Sequence, residues 1–200
     1  MSGILDGLVN ELGSDGISAI ASKLGMDSSQ TQSAIAGALP MIIGAMAHNA
    51  SNPSGADALH NAVNQHASSG SILEQITQSV GASADGDAIL GHIFGNRQQA
   101  ATQGVSQTSG LNAGNAGALL SMLAPLVMNY LGRHASQNNM SSGQLSNSLG
   151  QQASQIQQDG GLGGSLLNAV LGSADKQGDG LDLGDILSAG SSILGAFNKR

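Results

Sequence analysis

The segment Asp175–Ile186, reading DKQGDGLDLGDI, is where side chains fall at metal-ligand spacing. A calcium loop of the EF-hand kind wants oxygen donors at its first, third and fifth positions. It also wants a glycine at the sixth for the sharp turn, a carbonyl at the seventh and a bidentate glutamate at the twelfth. Asp175, Gln177, Asp179, Gly180 and Leu181 fill the first five of these places, but the last holds Ile186, and the carboxylate of Asp185 comes one residue early. With that ligand missing, the segment reads first as a solvated turn in which Asp182 or Asp185 caps and charges the start of a final helix. The alternative is a non-standard, weakly binding Ca2+ site made by Asp175, Gln177, Asp179, Leu181 and Asp185.

The remaining chemistry is sparse. His48, His60, His66, His92 and His134 are scattered, and the closest pair, His60 and His66, is six residues apart. On a helix that spacing points two side chains about 120° apart, unlike the i, i+4 pair that shares a metal. Structural roles are expected for them, with His92 in ILGHIFGNR the one that keeps a site open. There is no cysteine, hence no thiolate nucleophile, thiolate zinc site or disulfide framework. No GxSxG elbow and no GxxxxGK[ST] phosphate loop occurs. No catalytic residue and no cofactor is expected, and the chain is not read as an enzyme.

Charge narrows the partners. Lys plus Arg number 6 against 13 Asp plus Glu, for a net charge of −7. A chain without a positive field cannot neutralise phosphates, so neither nucleic acid nor an anionic membrane surface is an expected partner. A helix-turn-helix reading around Gly25, presenting Ser28, Ser29, Gln30 and Gln32 to bases, is kept only as a lesser alternative. The start, MSGILDGLVNELGSDG, lacks the basic region of a signal peptide, and the longest apolar run, Ala34–Ala47, contains Pro40 and falls short of a membrane span. The cytoplasm is the expected compartment.

The elements that must position these residues read as helices throughout. Glycine, at 30 residues, is abundant and aromatics make up only 2%, so a core must be built from Leu, Ile, Ala and Met. Sliding the chain by 85 residues superposes Ile20 on Val105, Gly25 on Gly110, Asp27 on Asn112, Ile35 on Leu120 and Pro40 on Pro125. At 86 residues, Leu59 meets Leu145 and Val63 meets Leu149. Glycine ends a helix, Asp or Asn caps the next, and a proline follows in a small-residue apolar helix that it should kink or split. Further helices are expected at Gly55–Ala67, Ile72–Val80, Asp87–Phe94, Ser142–Gln158 and Leu166–Leu171. The prediction is an all-α fold of two tandem helical modules related by internal duplication, with short amphipathic helices at both termini. Residues 1–96 form the first module with its N-terminal helix, 97–172 the second, and 173–200 an acidic Gly-rich loop with a C-terminal helix.

The elements LGMDSSQTQSAIAGALPMIIGAM, ADGDAILGHIFGNR and VSQTSGLNAGNAGALLSMLAPLVMNYLG resemble the bacterial YidB-like family, a domain of unknown function. The likeness runs from about Ile20 to Ala153, and ILGHIFG at Ile89–Gly95 is its most specific part. It implies an all-α fold and a bacterial origin. The family brings no established catalytic residues, so none carry over.

From Gln98 to Gln158 the only charged side chain is Arg133. A surface this poor in charge has little like-charge repulsion and few of the residues that interfaces exclude. Ile4, Leu5, Leu8, Val9 and Leu12 form an apolar stripe at one end, and Leu183, Ile186, Leu187, Ile193, Leu194 and Phe197 form another. Each stripe either closes its own domain or docks on a neighbouring copy. The expected function is therefore that of a non-catalytic, self-associating structural or scaffolding protein, a homo-oligomer forming a ring or a filament. The alternative is a small binding module using the Ca2+ loop.

Overall fold

The computed structural model describes residues 3–67, 76, 84–159 and 161–171. Among these residues the regular structure is all helical, as expected. In chain order it comprises α1 (Ile4–Leu24), α2 (Ser28–Asn49), α3 (Pro53–His66), α4 (Ala84–Phe94), a 3-10 turn at Gly95–Arg97, α5 (Gln98–Ser109), α6 (Ala113–Gln137), α7 (Ser142–Asp159) and α8 (Leu162–Leu171). The expected C-terminal helix lies outside the described residues, as does the one at Ile72–Val80 apart from Ile76.

Turn chemistry sets the boundaries. Gly25 closes α1 at φ 62°, a left-handed conformation that glycine adopts without steric cost, and the Met26 N–H then donates back to the Ala21 carbonyl at 2.9 Å. Asp27 opens α2 by accepting the Ser29 N–H at 2.7 Å. Gly110 closes α5 at φ 72°, and Asn112 opens α6 by accepting the Asn115 N–H at 2.8 Å. The two caps differ in one testable way. Hydrogen bonds from the Ser29 hydroxyl and N–H hold the Asp27 carboxyl below its ordinary 3.8. A carboxyl whose folded pKa is depressed stabilises the fold above its unfolded value, and that contribution is lost as pH falls through the folded value. Asn112→Ala should therefore lower stability by about 1 kcal/mol at any pH. Asp27→Ala should be most destabilising in thermal melts at neutral pH, its cost shrinking as pH falls below about 4 and through the folded pKa.

α2 and α6 form the centre. Every residue from Gly37 to Ala47 is buried, and so are Leu119–Ala124 and Leu126–Asn129. A helix apolar on all sides belongs inside a layer of others. α3 packs mainly on α6, whereas α7 packs on α2, so the helix that follows each core helix crosses to the other one. Both core helices run on through Pro40 and Pro125; neither is split, contrary to one of the two expected outcomes.

Each proline removes the N–H that would bond the carbonyl one turn back. In α6 that carbonyl belongs to Ser121, and Gly86 of α4 passes so close that a Cβ there would collide with the oxygen. The Ser121 hydroxyl, 1% exposed, also donates to the Asp87 carboxylate, so Ser121 holds the start of α4 through both its backbone and its side chain. In α2, Gly163 of α8 lies against the Pro40 ring, where a Cβ would sit 2.5 Å from the proline's own. α4 and α8 thus share one docking pattern, a glycine followed three and four residues later by a buried apolar pair: Gly86 with Ile89 and Leu90, Gly163 with Leu166 and Leu167.

The N-terminal stripe finds its partner inside the chain. Ile4, Leu8 and Leu12 are buried against the α2, α6 and α7 layer, leaving Val9 as the exposed large hydrophobic residue among those described. α1 is also longer than the short helix expected, running to Leu24 with a break at Gly13, where φ is 55°.

Candidate functional site

Asp175, Gln177, Asp179, Leu181 and Asp185 lie outside the described residues. Among the described residues no group of three His, Asp or Glu side chains is placed to hold a metal ion. Two of the histidines, His60 and His66, serve backbone carbonyls. His60 donates from Nε2 to the Met140 carbonyl at 2.9 Å and accepts from Asn64 on Nδ1 at 3.3 Å, which sets its tautomer. His66 donates from Nδ1 to the Ala62 carbonyl at 2.9 Å, and its Nε2 stands 3.7 Å from Asp85. His134 stacks on Tyr130 with ring centroids 6.1 Å apart.

His92 stands exposed at the rim of an open cleft of about 200 Å³ lined by Asn49, Ile93, Phe94, Gly95, Asn96 and Arg97. The Asn49 amide donates to the His92 and Ile93 carbonyls at 3.2 and 2.8 Å. A side chain from α2 thus satisfies the last carbonyls of α4, a capping role. At the tip of the α1–α2 turn, Ser28, Ser29, Gln30 and Gln32 are exposed, but Asp27 puts a carboxylate of lowered pKa beside them. That charge opposes a phosphate backbone.

The densest set of polar groups was not foreseen from sequence. Arg133 of α6 pairs with Glu11 of α1 and donates from Nε to the Asn129 oxygen at 2.9 Å; Asn129 in turn donates to the His66 carbonyl at 3.0 Å. One chain of bonds thus ties α1 and the end of α3 to α6. Burial, reinforced by the Glu11 charge, raises the Tyr130 phenol above its ordinary value of 10 and keeps it neutral. The bonds of Arg133 and Asn129 run between helices, so the set fastens α1 and α3 to α6. No periodicity or motif links Glu11 to Arg133, so only the fold reveals the pair.

A second feature has a receptive shape. α8 lies along α2 between α5 and α7. The floor of this trough is Gly37, Pro40 and Gly44, all buried, and its side toward α5 is opened by Gly104. A Cβ on Gly37 would stand 3.2 Å from Leu166, one on Gly104 would stand 2.8 Å from the same side chain, and one on Gly44 would collide with Leu167. The missing side chains are what let α8 sink in, leaving Leu166 6% and Leu167 1% exposed. This is the geometry by which grooves take amphipathic helices. The outer face of the layer is uncharged: Gln99, Gln103 and Gln107 on α5, Ser165, Asn168 and Ala169 on α8, and Gln144, Asn147, Gln151, Ser154 and Gln158 on α7 are all exposed. Its first charge is Asp159, and the one cation of the stretch, Arg133, is taken by Glu11. The repeated Gly-x-x-(Ile/Leu)-Leu spacing was the sequence signal for this docking.

The described residues define an all-helical domain of two buried, proline-bearing helices clasped by shorter ones, with a trough filled by its own chain. The family model described as "Bacterial protein of unknown function (DUF937)" matches residues 6–134, and the chain belongs to that family, in keeping with the YidB-like resemblance. The match spans α1 to α6, so α7 and the trough helix α8 lie beyond it. Comparison with curated proteins gives no match, and neither does comparison with solved structures. No single described helix is long and apolar enough to cross a membrane.

Proposed function

We propose that this protein is a non-catalytic structural component that associates with copies of itself. The observation that carries the reading is the uncharged outer face of α5, α8 and α7, in a chain whose net charge is −7. Charge confined to other surfaces lets two such faces meet without repulsion, and the long amide side chains supply donors and acceptors along the contact. The architecture supports an origin by duplication. Gly25 and Gly110 share a left-handed turn, Asp27 and Asn112 share a cap, Pro40 and Pro125 share a place in a core helix, and Val63 and Leu149 are both fully buried.

The test adds charge to the proposed contact. The parent protein at tens of micromolar should exceed its monomer mass in light scattering and show regular particles in electron microscopy. Asn147→Glu, Gln151→Glu and Gln158→Glu together place three carboxylates on the exposed face of α7. Glutamate is a good helix former, so the helix content read by circular dichroism should stay the same. The triple variant should run as a monomer. A parent protein that is strictly monomeric at these concentrations sinks the proposal.

A further inference from the structure

The structure points to α8 as an exchanged element, the α8 of one chain lying in the α2 trough of a second copy. This rests on the self-association proposed above and names the segment that would carry it. The connection is the first observation. Residues 160 and 161 alone join α7 to α8, in the sequence Asp159-Gly160-Gly161. A Cβ on Gly161 would meet nothing within 4 Å, so an alanine fits at this position. In the folded-back arrangement α8 packs closely on α7, since a Cβ on Gly164 would stand 2.5 Å from the Ile156 carbonyl oxygen. Connections this short favour exchange over folding back.

The second observation is the dependence of α8 on its seat. It has 10 residues, two of them glycines, too short and too Gly-rich to persist as a helix in water. It becomes a helix by burying Leu166 and Leu167 in a trough, and a neighbour's trough has the same walls as its own. Exchange therefore keeps every contact of Gly163, Leu166 and Leu167 and changes only which chain supplies them. The third observation is the uncharged layer around the trough, along which two copies of an acidic chain can approach. Reciprocal exchange closes a dimer, and onward exchange from copy to copy runs into a filament.

Because the chain has no cysteine, an introduced pair reports which chain supplies α8. In Gly44→Cys/Leu167→Cys the two sulfurs face each other across the trough, a Cβ on Gly44 standing 2.9 Å from Leu167 Cγ, within reach of a disulfide. The purified oligomer, oxidised and run on a non-reducing denaturing gel, should give covalent dimers or a ladder that a reductant collapses to one band. A single-chain band with its thiols consumed overturns the exchange. If light scattering still shows an oligomer, self-association survives; if it shows a monomer, both readings fail. Gly161→Ala tests the same idea without touching the trough. Alanine favours the straight connection, so the association constant should rise by roughly fivefold or more. An unchanged or smaller constant counts against exchange.

Discussion

Gly132→Ala is expected to lower the melting temperature by about 4–8 °C, although alanine is the better helix former. Gly132 is buried in α6 where α3 crosses it. A Cβ at this position would collide with the Val63 carbonyl oxygen and lie 2.8 Å from the Ala67 Cβ. The first obstacle is backbone, which cannot rotate aside, so α3 must move off α6. Overpacking of this kind costs about 3 kcal/mol, against a helix-propensity gain of about 1 kcal/mol, leaving a net loss of roughly 2 kcal/mol. Gly91→Ala is the control. It makes the same chemical change inside α4, where a Cβ would meet nothing within 4 Å, and should gain roughly 0.5–1 kcal/mol. Thermal or urea melts of the pair should thus move in opposite directions. A Gly132→Ala protein as stable as the parent would show that the α3–α6 contact is loose and that the glycine serves something other than close approach.

Local signals in the sequence were readable because they act over four or five residues. The Gly25 and Gly110 turns and the Asp27 and Asn112 caps work through their own neighbours, and the structure has them where spacing put them. The apolar pattern likewise placed α3 and α7 within a few residues of their observed bounds. What spacing could not show was which surfaces meet. The stripe of Ile4, Leu8 and Leu12 reads the same whether it closes its own domain or docks on another, and only the packing of α1 on α2 and α6 decides for the former. Three glycines of α2, α4 and α6 stand where helices approach too closely for a Cβ, and that depends on a partner distant in sequence: Gly86 on Ser121, Gly132 on Val63, Gly44 on Leu167. The prolines gain a second role in the same way. Expected to kink or split their helices, they stand where the glycines of α4 and α8 dock.

Asn129→Ala is expected to be the most destabilising single polar change, at about 3 kcal/mol. Asn129 is 1% exposed and works in two directions, donating to the His66 carbonyl at 3.0 Å and accepting from Arg133 Nε at 2.9 Å. Alanine leaves the His66 carbonyl at the end of α3 without its Asn129 donor, carrying the desolvation cost of a part-buried acceptor, and it also removes a bond to a charged group. Glu11→Gln makes the informative comparison because it cuts the same chain of bonds one link further out. The Glu11 and Arg133 side chains are 31% and 26% exposed, so water and salt share their charges. Their pairing should be worth about 1 kcal/mol at most, and less as ionic strength rises. Melts at low salt and at about 0.5 M salt separate the two links: the Glu11→Gln loss should shrink toward zero, while the Asn129→Ala loss should stay the same. If instead Glu11→Gln remains the costlier change at high salt, the ion pair holds α1 to α6 and the buried amide is incidental. The ordering argued here follows from burial, because a hydrogen bond that water cannot replace outweighs a stronger charge that water can reach.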